Sequence, residues 1–140
     1  MYQRSIKSVT KQDILNILGS FPYDRCQYWL ITGGAMVFRG FREETGDIDL
    51  GCTTEMADRL ETEGYLVRKD GDGKRRFRVG ETIEIFEDWL YDSVEMIEGV
   101  QVISVNGLLR MKRELGREKD LRDIELIRGR SGFRGDSQDQ

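Results

Sequence analysis

The amino-acid sequence predicts one α+β (α/β) domain, and three features carry that prediction. Trp29 to Gly51 reads as strand, glycine turn, helix and strand. Tyr65 to Val79 reads as a hairpin around Asp70-Gly71-Asp72-Gly73. Apolar residues recur at helical spacing towards both ends, at Ile14, Leu15, Ile17 and Leu18 and again at Leu121, Ile124, Leu126 and Ile127. At 140 residues, 38% apolar and 34% charged, the chain has the length and composition to bury a core without disulfides or structural metals. The expected domain is 1–128, followed by a glycine-rich polar tail at 129–140 that is expected to be disordered.

Taken in order, the residues up to about Thr10 are polar and expected to be loosely held. Thr10 then caps a helix that starts at Lys11 and stops at Gly19-Ser20. Pro22 sits in a turn before the buried strand Tyr28 to Thr32. A short helix over Ala35 to Arg39 follows the glycines and is closed by Gly40. The strand Asp47 to Leu50 comes next, and Thr53-Thr54-Glu55 begins a helix running to about Glu63, which Gly64 stops. After the hairpin, Glu81 to Phe86 alternates as a strand. Asp92 to Gly99 has only weak patterning and reads as a loop or short helix. Val100 to Val105 is the last strand, Ser104 or Asn106 begins a helix over Gly107 to Leu115, and Asp120 caps the final one.

Composition excludes several chemistries. There is no histidine, so serine–histidine and cysteine–histidine catalysis are out, and any mechanism must rest on carboxylates, lysine, tyrosine or metal. Cys26 and Cys52 are too few for a zinc motif and are expected to be reduced and partly buried. No run of 18 apolar residues and no apolar secretory core in MYQRSIKSVT are present, so a cytoplasmic protein without a membrane span is expected. A net charge of −4 argues against strong non-specific nucleic-acid binding by the whole molecule. Basic groups nevertheless cluster at Arg39 and Arg42, at Lys74, Arg75, Arg76 and Arg78, and at Arg110, Lys112, Arg113, Arg117 and Lys119.

The chemistry converges on Asp47 and Asp49. On a strand their side chains share one face, about 6.6 Å apart along the backbone, while Ile48 and Leu50 face the core. Two such carboxylates can hold a hard divalent cation. Gly33 and Gly34 lack Cβ atoms, which would let an anionic ligand approach the backbone where a helix begins. A third carboxylate is expected at Glu84, flanked by Ile83 and Ile85 on a strand that would pair beside that of Asp49. Glu87 and Asp88 are the competitors, past the regular alternation.

Gly33, Gly34, Asp47 and Asp49, with this order of strand, glycine pair, helix and strand, resemble the signature of the polymerase-β-like nucleotidyltransferase superfamily. The chain looks most like its small single-domain members related to AbiEii toxins and minimal nucleotidyltransferases, over about Tyr28 to Arg128. Arg42 stands one residue further from Thr45 than the corresponding arginine of several relatives. The resemblance implies a mixed, mainly antiparallel sheet with helices packed on one face. It implies catalytic, metal-binding roles for Asp47, Asp49 and Glu84, with Mg²⁺ or Mn²⁺ as cofactor. By the same resemblance Gly33, Gly34, Arg39, Lys112 and Arg117 would bind the nucleotide, while a solvated helix face is the alternative for Lys112, and Asp120 and Asp123 are read as structural. The implied reaction moves a nucleoside monophosphate from a nucleoside triphosphate to an acceptor hydroxyl on an RNA end, a protein or a small molecule. A homodimer or hetero-partner, in a toxin–antitoxin or phage-related setting, is compatible with the small size. The alternatives are a non-catalytic binding module of the same fold, antitoxin-like or a pseudoenzyme, and a plain α/β protein whose aspartates solvate a strand.

Overall fold

The computed structural model describes residues 8–131. Its elements are β1 (Val9–Thr10), α1 (Lys11–Gly19), β2 (Tyr28–Ile31), α2 (Thr32–Phe38), β3 (Glu44–Thr45), β4 (Ile48–Cys52), α3 (Thr54–Thr62), β5 (Leu66–Lys69), β6 (Arg75–Val79), β7 (Ile83–Glu87), β8 (Val94–Ile97), β9 (Val100–Ile103), α4 (Val105–Leu115) and α5 (Glu118–Ser131).

Seven strands form one sheet in the order β5-β6-β7-β4-β2-β9-β8, and β1 pairs separately with β3. The sheet is mixed and mainly antiparallel: β4 runs parallel to β7 and β2 parallel to β9, while the other pairs are antiparallel. Leu30 stands opposite Leu50 and Leu50 opposite Ile85, and all three are fully buried. They build the apolar face against which α2 rides. A Cβ on Gly34 would come within 2.8 Å of Leu30 Cδ2, so glycine there permits the close helix–strand contact. The alternate residues Trp29, Ile31, Asp49, Glu84 and Phe86 fall on the opposite face.

Several expectations hold in detail. Thr10 caps α1 in a reciprocal box, accepting from the Asp13 N–H at 3.2 Å while its own N–H donates to Asp13 Oδ2 at 3.0 Å. Thr53 and Ser104 cap α3 and α4. Gly64, at φ +91°, follows the helix it was expected to stop.

Other expectations need correcting. Val9 is buried, and Val9–Thr10 pairs with Glu44–Thr45 instead of hanging loose. The glycine pair lies inside α2, which begins at Thr32, so no turn separates β2 from the helix. Val94 to Ile97 is a strand at the sheet edge. Its burial does not alternate, so the period-2 signal is missing. The final helix begins at Glu118, so Asp120 lies within its first turn and is not its cap. Its inner face is Ile124 and Ile127, with Leu126 partly buried and Leu121 exposed. That helix also runs to Ser131, past the expected boundary at Arg128, and the rest of the expected tail lies outside the described residues, as does the chain before Ser8. Cys26 is exposed, whereas burial pushes the Cys52 thiol up to about 12; both cysteines are free.

Candidate functional site

The register between β4 and β7 places Asp49 directly opposite Glu84, on the face turned away from the Leu30–Leu50–Ile85 layer. Both side chains line a cleft of about 320 Å³ with Thr32, Arg76, Phe86, Trp89 and Arg117. The Thr32 hydroxyl donates to Asp49 Oδ2 at 2.8 Å, whereas Asp49 Oδ1 is buried without a hydrogen-bond partner. Burial raises the Asp49 pKa above the usual carboxylate range; the Thr32 hydrogen bond opposes this, and the charges of Asp47 and Glu84 reinforce it. Thr32 has φ +49°, a left-handed conformation that β-branched residues rarely adopt. The strained residue is therefore the one that holds the carboxylate.

Glu84 is not free. Arg76 Nη2 lies 3.3 Å from Glu84 Oε2, and the Arg76 guanidinium carbon sits 4.7 Å from the centre of the Phe86 ring. Arg76 stands opposite Phe86 in the β6–β7 ladder, and Arg78 opposite Glu84, which puts both arginines on the carboxylate face. Phe86 stacks on Trp89 at 5.0 Å, Trp89 meets Tyr91 edge-on at 5.9 Å, and the Trp29 indole donates to the Trp89 carbonyl at 2.8 Å. One wall of the cleft is thus aromatic. The sequence signal for Arg76 was the alternation Arg76, Arg78 against Glu84, Phe86, but it becomes legible only once the hairpin register is known.

The other expected site residues separate. Asp47 is exposed, just before β4, and opens onto a neighbouring depression with Arg78, Glu81 and Thr82. A Cβ on Gly33 would meet Thr45 Oγ1 at 2.1 Å, so that glycine is explained by the Thr45 side chain pressed against it, as Gly34 is by Leu30. Arg39 turns to the other end of α2, where it donates to the Ile103 carbonyl at 3.0 Å and pairs with Glu95. Lys112 is buried, 2.9 Å from Asp123 and 3.6 Å from Asp120. Asp123 also meets Arg42 at 2.6 Å. Arg117 does reach the cleft, and Asp120 grips it: the Arg117 Nε and Nη2 donate at 2.6 and 3.1 Å, and the backbone N–H at 3.1 Å. Burial pushes the Asp120 carboxyl up, but the Arg117 hydrogen bonds and the Lys112 charge outweigh it and hold it below the usual range.

The competing carboxylates are engaged elsewhere. Glu87 is clamped by Arg75, whose Nε and backbone N–H donate at 3.0 Å and whose Nη2 donates at 2.8 Å; its pKa falls to about 2. Asp88 pairs with Lys74 at 2.9 Å.

Whether these residues suit a divalent cation can be judged from the donors. The unpartnered Asp49 oxygen, with the Asp47 charge acting on it, is what a hard cation would satisfy. Among the described residues, however, no three carboxylate or thiolate side chains converge into one cage. The cleft donor that such an ion would meet is the unpartnered Asp49 oxygen, with Asp47 in the neighbouring depression.

No family model matches the chain, and no curated protein matches it. Among solved structures it is similar to a Thermotoga maritima protein described as a "putative nucleotidyltransferase", at 15% identity and a TM-score of 0.56 over 84% of this chain and 93% of that one. At that identity the likeness is one of fold, and the chain has the nucleotidyltransferase fold.

Proposed function

We propose that this chain is a metal-dependent nucleotidyltransferase, similar to the small AbiEii-related and minimal members of that superfamily, which moves a nucleoside monophosphate from a nucleoside triphosphate to an acceptor hydroxyl. The observation that carries the reading is the placement of Asp49 opposite Glu84 on adjacent parallel strands, with an unpartnered Asp49 oxygen in the cleft. The likeness in fold supports it.

In this reading Asp49 holds the cation from within the cleft, and the charge of Asp47 in the neighbouring depression adds to its attraction. Bound there, Mg²⁺ or Mn²⁺ would neutralise the triphosphate and lower the pKa of the acceptor hydroxyl. Thr32 fixes the rotamer of Asp49 through its hydroxyl. Glu84 takes the acceptor proton as the acceptor oxygen bonds to the α-phosphorus and the bond to the leaving pyrophosphate breaks. Arg117 faces the phosphates from the rim with its guanidinium oriented by Asp120. The aromatic wall of Phe86 and Trp89 offers apolar surface to the planar base. An RNA end, a protein hydroxyl or a small hydroxylated compound could be the acceptor. A cytoplasmic setting is part of this reading, and among the described residues no helix is long and apolar enough to cross a membrane.

One observation favours a second reading, a non-catalytic module that binds nucleotide or a partner: Glu84 is already paired with Arg76. Thermal shift with each nucleoside triphosphate and Mg²⁺ or Mn²⁺ tests binding. Ligand at 100 times its Kd should stabilise the fold by about 2.7 kcal/mol, and Asp49→Asn should abolish the shift. An unchanged shift in that variant would discard the carboxylate site. Release of pyrophosphate from labelled triphosphate, lost in Glu84→Gln, separates the enzyme from the binding module.

A further inference from the structure

We infer that the β5–β6 hairpin is a landing surface for a single-stranded nucleic acid, whose phosphodiester backbone lies along Arg68 and Arg78 and whose hydroxyl end reaches Glu84. The inference rests on the catalytic reading above and deepens it, choosing a polynucleotide end among the acceptors.

The hairpin is charged out of proportion to the chain. Six basic and two acidic residues stand between Tyr65 and Val79, in a protein whose net charge is −4. The β5–β6 register sets Arg68 opposite Arg76, and the β6–β7 register sets Arg76 opposite Phe86 and Arg78 opposite Glu84, so three guanidiniums share the face that carries Glu84. Like charges directly opposite each other destabilise a sheet. Arg76 is compensated by Glu84, and Arg68 lies 3.4 Å from Asp70 with both side chains well exposed. Arg78 is exposed; among the described residues its guanidinium has one hydrogen bond, to the Glu81 carbonyl at 3.2 Å, and no carboxylate partner. All four residues of β5 are exposed, and Tyr65, Leu66 and Val67 present apolar surface to water.

Protection of an exposed edge accounts for part of this and not for the rest. Charges on an edge strand keep sheets from pairing edge to edge, which explains Arg68 and Lys69 on β5 and disfavours a second copy of the chain as the occupant. Arg78 stands on β6, an inner strand, where that protection is not needed. A phosphodiester strand fits all the features at once: its phosphates meet the guanidiniums, and its bases find the exposed ring and apolar side chains. Arg78 also lines the depression of about 420 Å³ that holds Asp47, Glu81 and Thr82, beside the N-terminal ends of β4 and β7, whereas the aromatic cleft extends to Phe86 and Glu87 at the C-terminal end of β7. A strand entering over Arg78 therefore meets Glu84 from the side away from the aromatic wall. The acids of the depression repel phosphates and accept hydrogen bonds from hydroxyls, so a terminal hydroxyl is the group that fits there.

Fluorescence anisotropy of the full chain with a labelled single-stranded RNA of about 12 nucleotides tests this. The wild type should bind it with an affinity that falls as salt rises, the log–log slope being about −1.4 for two arginine–phosphate contacts. Arg68→Gln and Arg78→Gln should each weaken binding about fivefold and take about 0.7 off the slope. Arg78→Lys should restore binding, because a phosphate also accepts a point charge. Lys11→Gln, an equal loss of charge on α1, should leave binding as it is. DNA of the same sequence should bind within about threefold of the RNA, since the contacts are to phosphate. No strand bound at low salt, binding indifferent to both glutamine variants, or poly-glutamate held as tightly as RNA would each overturn the inference. A dimer in sedimentation velocity that Val67→Lys dissolves would assign the surface to a second copy and overturn it too. A wild type that holds no strand while triphosphate still raises its melting temperature removes this inference alone. A strand held without any triphosphate shift removes the catalytic reading and leaves the landing surface standing.

Discussion

Lys112 Nζ lies 2.9 Å from Asp123 Oδ2, with each side chain less than a tenth exposed, so the last two helices are joined by an ion pair almost out of reach of water. Asp120 and Arg42 extend the pair into a network, because Arg117 grips Asp120 and Arg42 grips Asp123. Removing one partner of such a pair leaves a buried charge and costs about 3–5 kcal/mol. Asp123→Ala strands Lys112 with only Asp120 at 3.6 Å and should fall in that range. Lys112→Met leaves each aspartate its arginine and should cost about 1–2 kcal/mol. Urea denaturation of both variants checks the order. The double variant should be less unstable than the sum, since the partners are coupled.

Thr32 combines a left-handed backbone with a hydrogen bond to Asp49. Thr32→Val keeps the strain and removes the donor, leaving both Asp49 oxygens unsatisfied, and should cost about 1.5–3 kcal/mol. Thr32→Ser retains the hydroxyl without the β-branch and should be neutral or gain about 0.5 kcal/mol. Thermal denaturation of the pair separates the bond from the backbone term.

The Arg75–Glu87 clamp predicts an acid transition. The folded pKa of Glu87, about 2, lies below its ordinary 4.5, so the stabilisation is fully present above pH 4.5 and is lost as the pH falls from there towards 2. Glu87→Gln should lower stability at pH 7 by about 2 kcal/mol and flatten the acid limb of the profile. Denaturant midpoints measured from pH 7 down to pH 2 give both quantities.

Gly51 is the point where β4 passes under the aromatic wall. A Cβ there would meet Trp29 Nε1 at 2.2 Å and the Trp89 carbonyl at 2.5 Å, the two ends of one hydrogen bond. Gly51→Ala should therefore cost about 1–3 kcal/mol through overpacking. It should also shift tryptophan emission to longer wavelength as the Trp89 segment lifts into water.

What the sequence made legible was local or periodic. Thr10 three residues ahead of Asp13, Thr53 before an apolar stripe, and the alternation around Glu84 each carry their own geometry. Glu84 was found on the same face as Asp49 because a strand with a fixed period allows only two faces. What stayed hidden depends on partners far away in the chain. Lys112 reads as an exposed basic residue until Asp123 folds over it, and Gly33 reads as a phosphate loop until Thr45 is seen against it. Arg76 belonged to a run of cations with nothing local to single it out, since its pairing with Glu84 is set by the register of two strands. Thr32 was hidden for a different reason: sequence gave no hint that a threonine would take a conformation usually left to glycine.

The strand that carries Asp49 lies in the middle of the seven, with three strands on either side. Its amides should accordingly be among the last to exchange with deuterated solvent, opening only when the whole molecule does. Wear at the margins, such as a damaged β5 or a loosened β8, would then erode the molecule from outside while the key carboxylate keeps its seat until the end.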